Sequence, residues 1–214
     1  ARLTINNPNG TDSVAVHIPE GNPVIIEDEL KMQKGILDIG KNLIVLESAA
    51  SINEVNAFSS NNMIQTNISF TDAGIKKYFP AISSLTNFTY PIGSAGKYTP
   101  VEFFIQNMDA GGYIRIKAAD EIHPTVINDT EPCDQINDTS NVLKYHWLLE
   151  AGDVTNFTAD ANMHFHDADI QIDNTLSGTS YDVTSYIAAR LLLNSTSWNK
   201  YDPNSFDEDN SMLV

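Results

Sequence analysis

Two histidines and two aspartates fall within the six residues "HFHDAD" (164–169). On an extended chain His164 and His166 project from one side, and Met163 and Phe165 from the other. Two imidazoles at that spacing, with Asp167 and Asp169 beside them, are donor types that a transition metal takes. The bland alternative is a strand edge running into a polar turn, which needs no ligand. Oxygen ligands for a structural calcium could come from Asp167 and Asp169, or from Asp207, Glu208 and Asp209, although neither group has the spacing of an EF-hand loop. The expected cofactor content is therefore none, with structural calcium as the one alternative.

Aromatic side chains are the second source of chemistry. Trp147, Trp198, Tyr145 and Tyr181 could stack on a neutral sugar ring. Trp147 stands beside Leu148 and Leu149 and reads as core, as the central Trp of a sandwich does. Trp198 and Tyr181 remain as the candidate ligand-binding residues.

The stretch "YPIGSAGKYTPVEFF" (90–104) has the look of a phosphate loop and lacks its mechanics. Gly93 and Gly96 have the wrong spacing, Tyr98 follows Lys97 where a Ser or Thr is needed, and Pro100 leads into a strand pattern instead of a helix. Pro91 and Pro100 hold the residues before them extended, and the two glycines are expected to supply positive φ for a turn. The stretch reads as a joint. Nucleophilic catalysis finds no G-x-S-x-G elbow, and the single cysteine, Cys133, lies in a Pro/Asp-rich loop and cannot form an intrachain disulfide. Carboxylate pairs are permitted by the number of acids alone, so the chain is read as a non-enzyme.

Charge narrows the partners. The 214 residues carry 12 Lys+Arg against 28 Asp+Glu, a formal net charge of −16. Such a surface repels nucleic-acid phosphates and anionic lipid. The imbalance is concentrated: residues 1–107 hold 10 acids and 7 bases, residues 108–214 hold 18 and 5. No run approaches the ~18 apolar residues of a membrane span, so membrane insertion is not expected. The opening "ARLTINNPNG" already reads as a strand and a turn, as in a processed product or an excised piece of a longer chain.

Strand-like words must position these groups. "LTI", "VAVHI", "VII", "LKM", "ILDI" and "LIVL" succeed one another through residues 3–46, separated by "NPNG", "PEGNP", "KG" and "GKN". Short strands with Gly, Asn and Pro between them resemble the rungs of a solenoid. "TDAGIKKYF" (71–79) could hold one helical turn or a short helix, capped by Thr71 or Asp72, with Lys76 and Lys77 in solvent. "PVEFFIQN" and "GGYIRIKAAD" read as strands, the second with Tyr113, Arg115 and Lys117 on one side and Ile114, Ile116 and Ala118 on the other. Later strand words, from "VLKYHWLLEAG" onward, are spaced as in a sandwich; "VTSYIAARLLLN" is almost as readily a helix. The tail "DPNSFDEDNSMLV" reads as an acidic linker.

"KGILDIGKNLIVLESAASI" (34–52), "FTYPIGSAGKYTPVEFF" (88–104), "LKYHWLLEAG" (143–152) and "MHFHDADI" (163–170), in that order, resemble modules of large secreted surface proteins of Bacteroidota, including gliding-type adhesins exported by type IX secretion. The resemblance implies a β-helical part, a joint and a β-sandwich, and a mechanical role in cell adhesion or gliding motility at the cell surface. Seven N-x-S/T sequons follow from an Asn- and Thr-rich composition, and "DSV" at 12–14 resembles an O-glycosylation word of the same bacteria.

The expectation is an all-β chain: a short solenoid- or β-helix-like part over residues 1–89, an antiparallel, Ig-like β-sandwich over 90–200, and an acidic tail over 201–214. Its expected role is a non-enzymatic structural or adhesive module of an extracellular protein. The alternative is a carbohydrate-binding module, with or without calcium. Expected partners are neighbouring modules of the same polypeptide or filament, and surface glycans.

Overall fold

The computed structural model of the chain describes residues 1–7, 14–21, 23–66, 73–128, 142–170, 188–192, 195, 198–200, 206–207 and 212–213. Nearly all of the regular structure is extended. The first nine strands are β1 (Arg2–Asn6), β2 (Val14–His17), β3 (Val24–Ile26), β4 (Glu29–Lys34), β5 (Ile36–Asp38), β6 (Leu43–Leu46), β7 (Ser51–Glu54), β8 (Ile64–Gln65) and β9 (Gly74–Phe79). They are followed by β10 (Thr86–Tyr90), β11 (Ile92–Ser94), β12 (Lys97–Tyr98), β13 (Val101–Asn107), β14 (Gly112–Ala119), β15 (His146–Gly152) and β16 (Thr158–His164). The remaining strands are β17 (Ala189–Leu191), β18 (Trp198–Lys200), β19 (Phe206–Asp207) and β20 (Met212–Leu213). Among the described residues the helical segments are one short helix, α1 (Pro124–Asn128), and a 3₁₀ turn, Asp167–Asp169, and no helix is long and apolar enough to cross a membrane.

The chain divides into two compact units. One comprises residues 1–119 with 147–161, the other 120–146 with 162–214.

In the first unit the chain visits three sheets in turn and then repeats the visit. β1 pairs with β4 and β4 with β7; β2 with β5 and β5 with β8; β3 with β6 and β6 with β9, all of them parallel. Parallel neighbours need a crossover between them, and here the crossover from one strand to its partner consists of the strands of the other two sheets. Partners such as Val24↔Ile44 and Leu43↔Gly74 are thus far apart in sequence. The pairing then turns antiparallel: β9 takes β14 on its free side, β11 takes β12, and β10 takes β13.

Register decides which side chains are inside. Leu37, Ile64 and Ile92 are partners across β5, β8 and β11, and all three are fully buried. Ile44, Ile75 and Ile116 form a second buried column across β6, β9 and β14. Leu30 and Met32 of β4 add fully buried side chains in the third sheet. Burying each such side chain is worth about 1.5–3 kcal/mol. Ile25 lies between two inward residues of β3 and is 55% exposed, as alternation requires.

Polar side chains secure the corners. Buried Asn42 donates from Nδ2 to the carbonyls of Ile18 (2.8 Å) and Ile39 (3.0 Å), tying its turn to the preceding circuit. Asn56 reaches back to Gln33 O in the same way. These bonds give backbone carbonyls of one circuit a side-chain donor from the next turn. Outside, His17–Asp38 (3.2 Å), Arg2–Asp28 (2.8 Å) and Lys41–Glu20 (2.8 Å) link successive circuits, but exposed pairs of this kind add about 0–1 kcal/mol each.

Two expectations change. Residues 74–79 form a strand, because β6 and β14 offer hydrogen-bonding edges on both sides and Ile75, Lys77 and Phe79 alternate inward; Thr71 and Asp72 lie outside the described residues. Gly93 has no positive φ, whereas Gly96 does (79°). Gly93 is needed for space: a Cβ there would stand 2.0 Å from Lys97 O and 2.5 Å from Met63 Sδ. Within "VTSYIAARLLLN" residues 189–191 are extended, and 183–187 and 193–194 lie outside the described residues. In the acidic tail β19 and β20 pair with each other.

Leu37→Ala is expected to lower the urea unfolding free energy by about 2–5 kcal/mol, and Ile25→Ala by less than about 1 kcal/mol. Equal losses at the two positions would contradict the inward and outward assignment.

Candidate functional site

The sequence-derived metal residues straddle the end of β16. His164 closes the strand, and His166 lies beyond it, just before the 3₁₀ turn. His166 is exposed and its Nδ1 accepts the Ala168 N–H (3.1 Å). Asp169 is buried, and its carbonyl accepts the Lys144 N–H (2.8 Å). Asp167 opens the 3₁₀ turn. Among the described residues no group of three or more His, Cys, Asp or Glu side chains is placed to hold a metal ion. Trp198 starts β18, half-buried, and Tyr181 lies outside the described residues. Tyr145 is buried, and Trp147 is half-buried with its indole N–H 3.5 Å from Thr99 O.

A different group converges on the outward face of β9, β14 and β15. Antiparallel register sets Tyr78 opposite Tyr113 and Lys76 opposite Arg115. Alternation turns all four away from the Ile75–Ile116 column. The tyrosine rings meet edge to face at 5.6 Å, and the Lys76 ammonium lies 3.9 Å from the centre of the Tyr113 ring. From β15, Glu150 receives the Tyr113 hydroxyl on Oε1 (2.6 Å) and the Arg115 guanidinium on Oε2. Gly152 makes this possible, because a Cβ there would stand 2.4 Å from the Tyr113 ring.

The electrostatics follow from the contacts. The Tyr113 hydrogen bond is the largest influence holding the Glu150 carboxyl below its ordinary range; desolvation opposes it, and the Arg115 guanidinium and then the Lys76 charge lower it further. The same bond to Glu150 raises the Tyr113 hydroxyl. Glu150 is thereby kept as an ionised acceptor, a poor proton donor for general acid catalysis. The face offers ring surface for stacking and a guanidinium, an ammonium and a carboxylate for hydroxyl groups, which is binding chemistry.

Lys77, next in the chain, points the other way. It occupies the inward column between Leu46 and Ile114 and is 4% exposed, contrary to the expectation of a solvated lysine. Its ammonium donates to Glu47 O (2.7 Å) and Ser48 O (2.8 Å) and lies 5.5 Å and 5.8 Å from the rings of Phe79 and Phe88. Burial pulls its pKa down to about 8, with Glu47 partly opposing. Both donor bonds end on a turn, so the group serves as an internal clamp. An open hollow lined by Ala81, Ile82, Ser83, Asn107, Met108 and Asp109 also lies in this unit. The Asp109 carboxylate there is already bonded by Asn107 and Asn156 (3.0 Å each).

Nothing in the sequence singled out the β9–β14–β15 face. The alternation "Y-I-R-I-K" marked Tyr113 and Arg115 as sharing a side, but Lys76 and Tyr78 needed β9 to be a strand, and Glu150 needed the β14–β15 pairing. No family model, curated protein or solved structure matches the chain.

Two outcomes are expected. Tyr113→Phe moves the Glu150 titration, followed by carboxylate NMR, upward toward the ordinary glutamate value; no movement would remove Tyr113 as its main cause. For Lys77, the folded pKa lies below that of the unfolded chain, so the cost of burying the charge is fully present below about pH 8 and is relieved as pH rises toward the ordinary lysine value. Urea unfolding between pH 8 and pH 10 is expected to show the parent gaining on the order of 1 kcal/mol relative to Lys77→Met. A pH-independent difference would contradict this.

Proposed function

We propose that the chain is a structural or adhesive module of a large bacterial cell-surface or filament protein, and that it works without catalysis. The observation that carries this reading is the threefold cycling of the parallel strands β1–β4–β7, β2–β5–β8 and β3–β6–β9. We read that cycle as a short β-helical solenoid, with the antiparallel strands β12, β13 and β14 of the same unit as the layer, sandwich-like in our reading, that closes it. In such a stack each circuit is hydrogen-bonded only to its neighbours, and extension along the axis repeats the same contacts. That design suits a spacer or a load-bearing element and supplies no enclosed reaction chamber.

The resemblance to gliding-type surface proteins of Bacteroidota supports the same role: an extracellular module at the cell surface, contacting neighbouring modules of its own polypeptide. Weak contacts of single modules then add through the shared chain. The ionised, fully engaged Glu150 is consistent with a non-enzymatic face.

The Tyr78–Tyr113 face favours one second reading, a carbohydrate-binding module. Two half-buried rings flanked by Lys76, Arg115 and Glu150 have the composition of a sugar platform.

Incubation with a panel of polysaccharides, followed by end-group and unsaturated-product assays, is expected to show no turnover. Turnover abolished by Glu150→Gln would overturn the non-enzymatic role. On a glycan array, binding lost in Tyr113→Ala and unaffected by chelator would favour the sugar platform, whereas binding lost with chelator alone would favour calcium-dependent recognition.

A further inference from the structure

Within the second unit three rings from separate parts of the chain meet. His123 lies just before α1, His146 opens β15, and Trp198 opens β18. The His123 and His146 rings are 4.9 Å apart between centroids and the His123 and Trp198 rings 5.2 Å, both edge to face. All three side chains are half-buried.

The neighbouring backbone fixes where the protons sit. His146 Nδ1 lies 2.8 Å from Glu121 O, and a carbonyl only accepts, so Nδ1–H donates and Nε2 carries the lone pair. His123 Nδ1 accepts the Thr125 N–H (3.3 Å) and lies 2.8 Å from the Thr125 hydroxyl, so its proton is on Nε2. Each ring is thus held in a definite neutral form. Charging His123 puts a second proton on the nitrogen that Thr125 N–H uses as acceptor. Charging both rings sets two cations edge to face at 4.9 Å.

We propose that His123, His146 and Trp198 form an acid-sensitive clasp, which holds the paired strands β17 and β18 to the 120–146 segment while both imidazoles are neutral and releases them when both are charged. Leu191↔Trp198 pairing carries any movement of Trp198 into β17. Among the described residues His146 acts on His123, and Glu121 acts on both rings: its backbone carbonyl and then its carboxylate raise His146, and its carboxylate raises His123. Burial is the largest influence on each ring and holds both below the ordinary histidine value, with the charge of His146 lowering His123 further. The sign is definite: with folded values depressed, the clasp is fully closed above the ordinary histidine pKa and is lost as pH falls through the folded values.

The test is an NMR titration of the intact chain from pH 7.5 to 4.5. Imidazole C2–H shifts report protonation, and the nuclear Overhauser contact between the His123 and Trp198 rings reports the clasp. Both histidines are expected to titrate below about pH 6.5, with the ring contact falling at least fivefold through the same range. His146→Gln is expected to raise the His123 midpoint and leave the contact intact to lower pH. In His123→Phe the acid-induced change at Trp198 is expected to vanish. Midpoints at or above the ordinary value, a ring contact that survives protonation of both histidines, or an unchanged acid transition in His123→Phe would each overturn the proposal.

Discussion

In-register pairing of parallel strands is the constraint on which the rest of the first unit depends. A parallel strand copies its neighbour's alternation, so a residue that enters one column must live with what that column already holds. Leu37, Ile64 and Ile92 satisfy this with three fully buried apolar side chains. Slipping any one strand by a single residue would turn its inward set outward and bring polar residues such as Asp38 or Gln65 into the interior.

Lys77 shows how strict the constraint is. Its column runs Ile26, Leu46, Lys77 and Ile114, and nothing about a lysine recommends it for that place. The register puts it there because Ile75 and Phe79, on either side at i±2, are inward. The ammonium is then met by two turn carbonyls and two aromatic rings, which is how a buried charge becomes tolerable. The outward face is the mirror consequence. The same alternation that buries Ile75 and Ile116 delivers Lys76, Tyr78, Tyr113 and Arg115 to one surface, where Glu150 joins them.

Much of the first unit was legible because its strands are short and punctuated. "LKM", "ILDI" and "LIVL" between Gly- and Asn-bearing breaks correspond to β4, β5 and β6. What the words did not carry was partnership. "TDAGIKKYF" read as a helical turn or short helix, and only the edges that β6 and β14 supply make residues 74–79 a strand. The face around Tyr113 was invisible for the same reason, since its members come from three strands separated by tens of residues. In the "HFHDAD" segment the strand ends at His164 and a 3₁₀ turn begins at Asp167, a boundary that local pattern did not mark. The meeting of His123, His146 and Trp198 left no trace in local pattern, being a product of tertiary packing alone.

The stacked parallel register is tested most directly by methyl nuclear Overhauser spectroscopy on the isotope-labelled chain. Ile44 methyls are predicted to contact those of Val24 on one side and Ile75 on the other, and Ile64 those of Leu37 and Ile92, with no contact from Ile44 to the outward Ile25. An Ile25–Ile44 contact in place of Val24–Ile44, or antiparallel backbone contacts between β3 and β6, would contradict the stack and the account built on it.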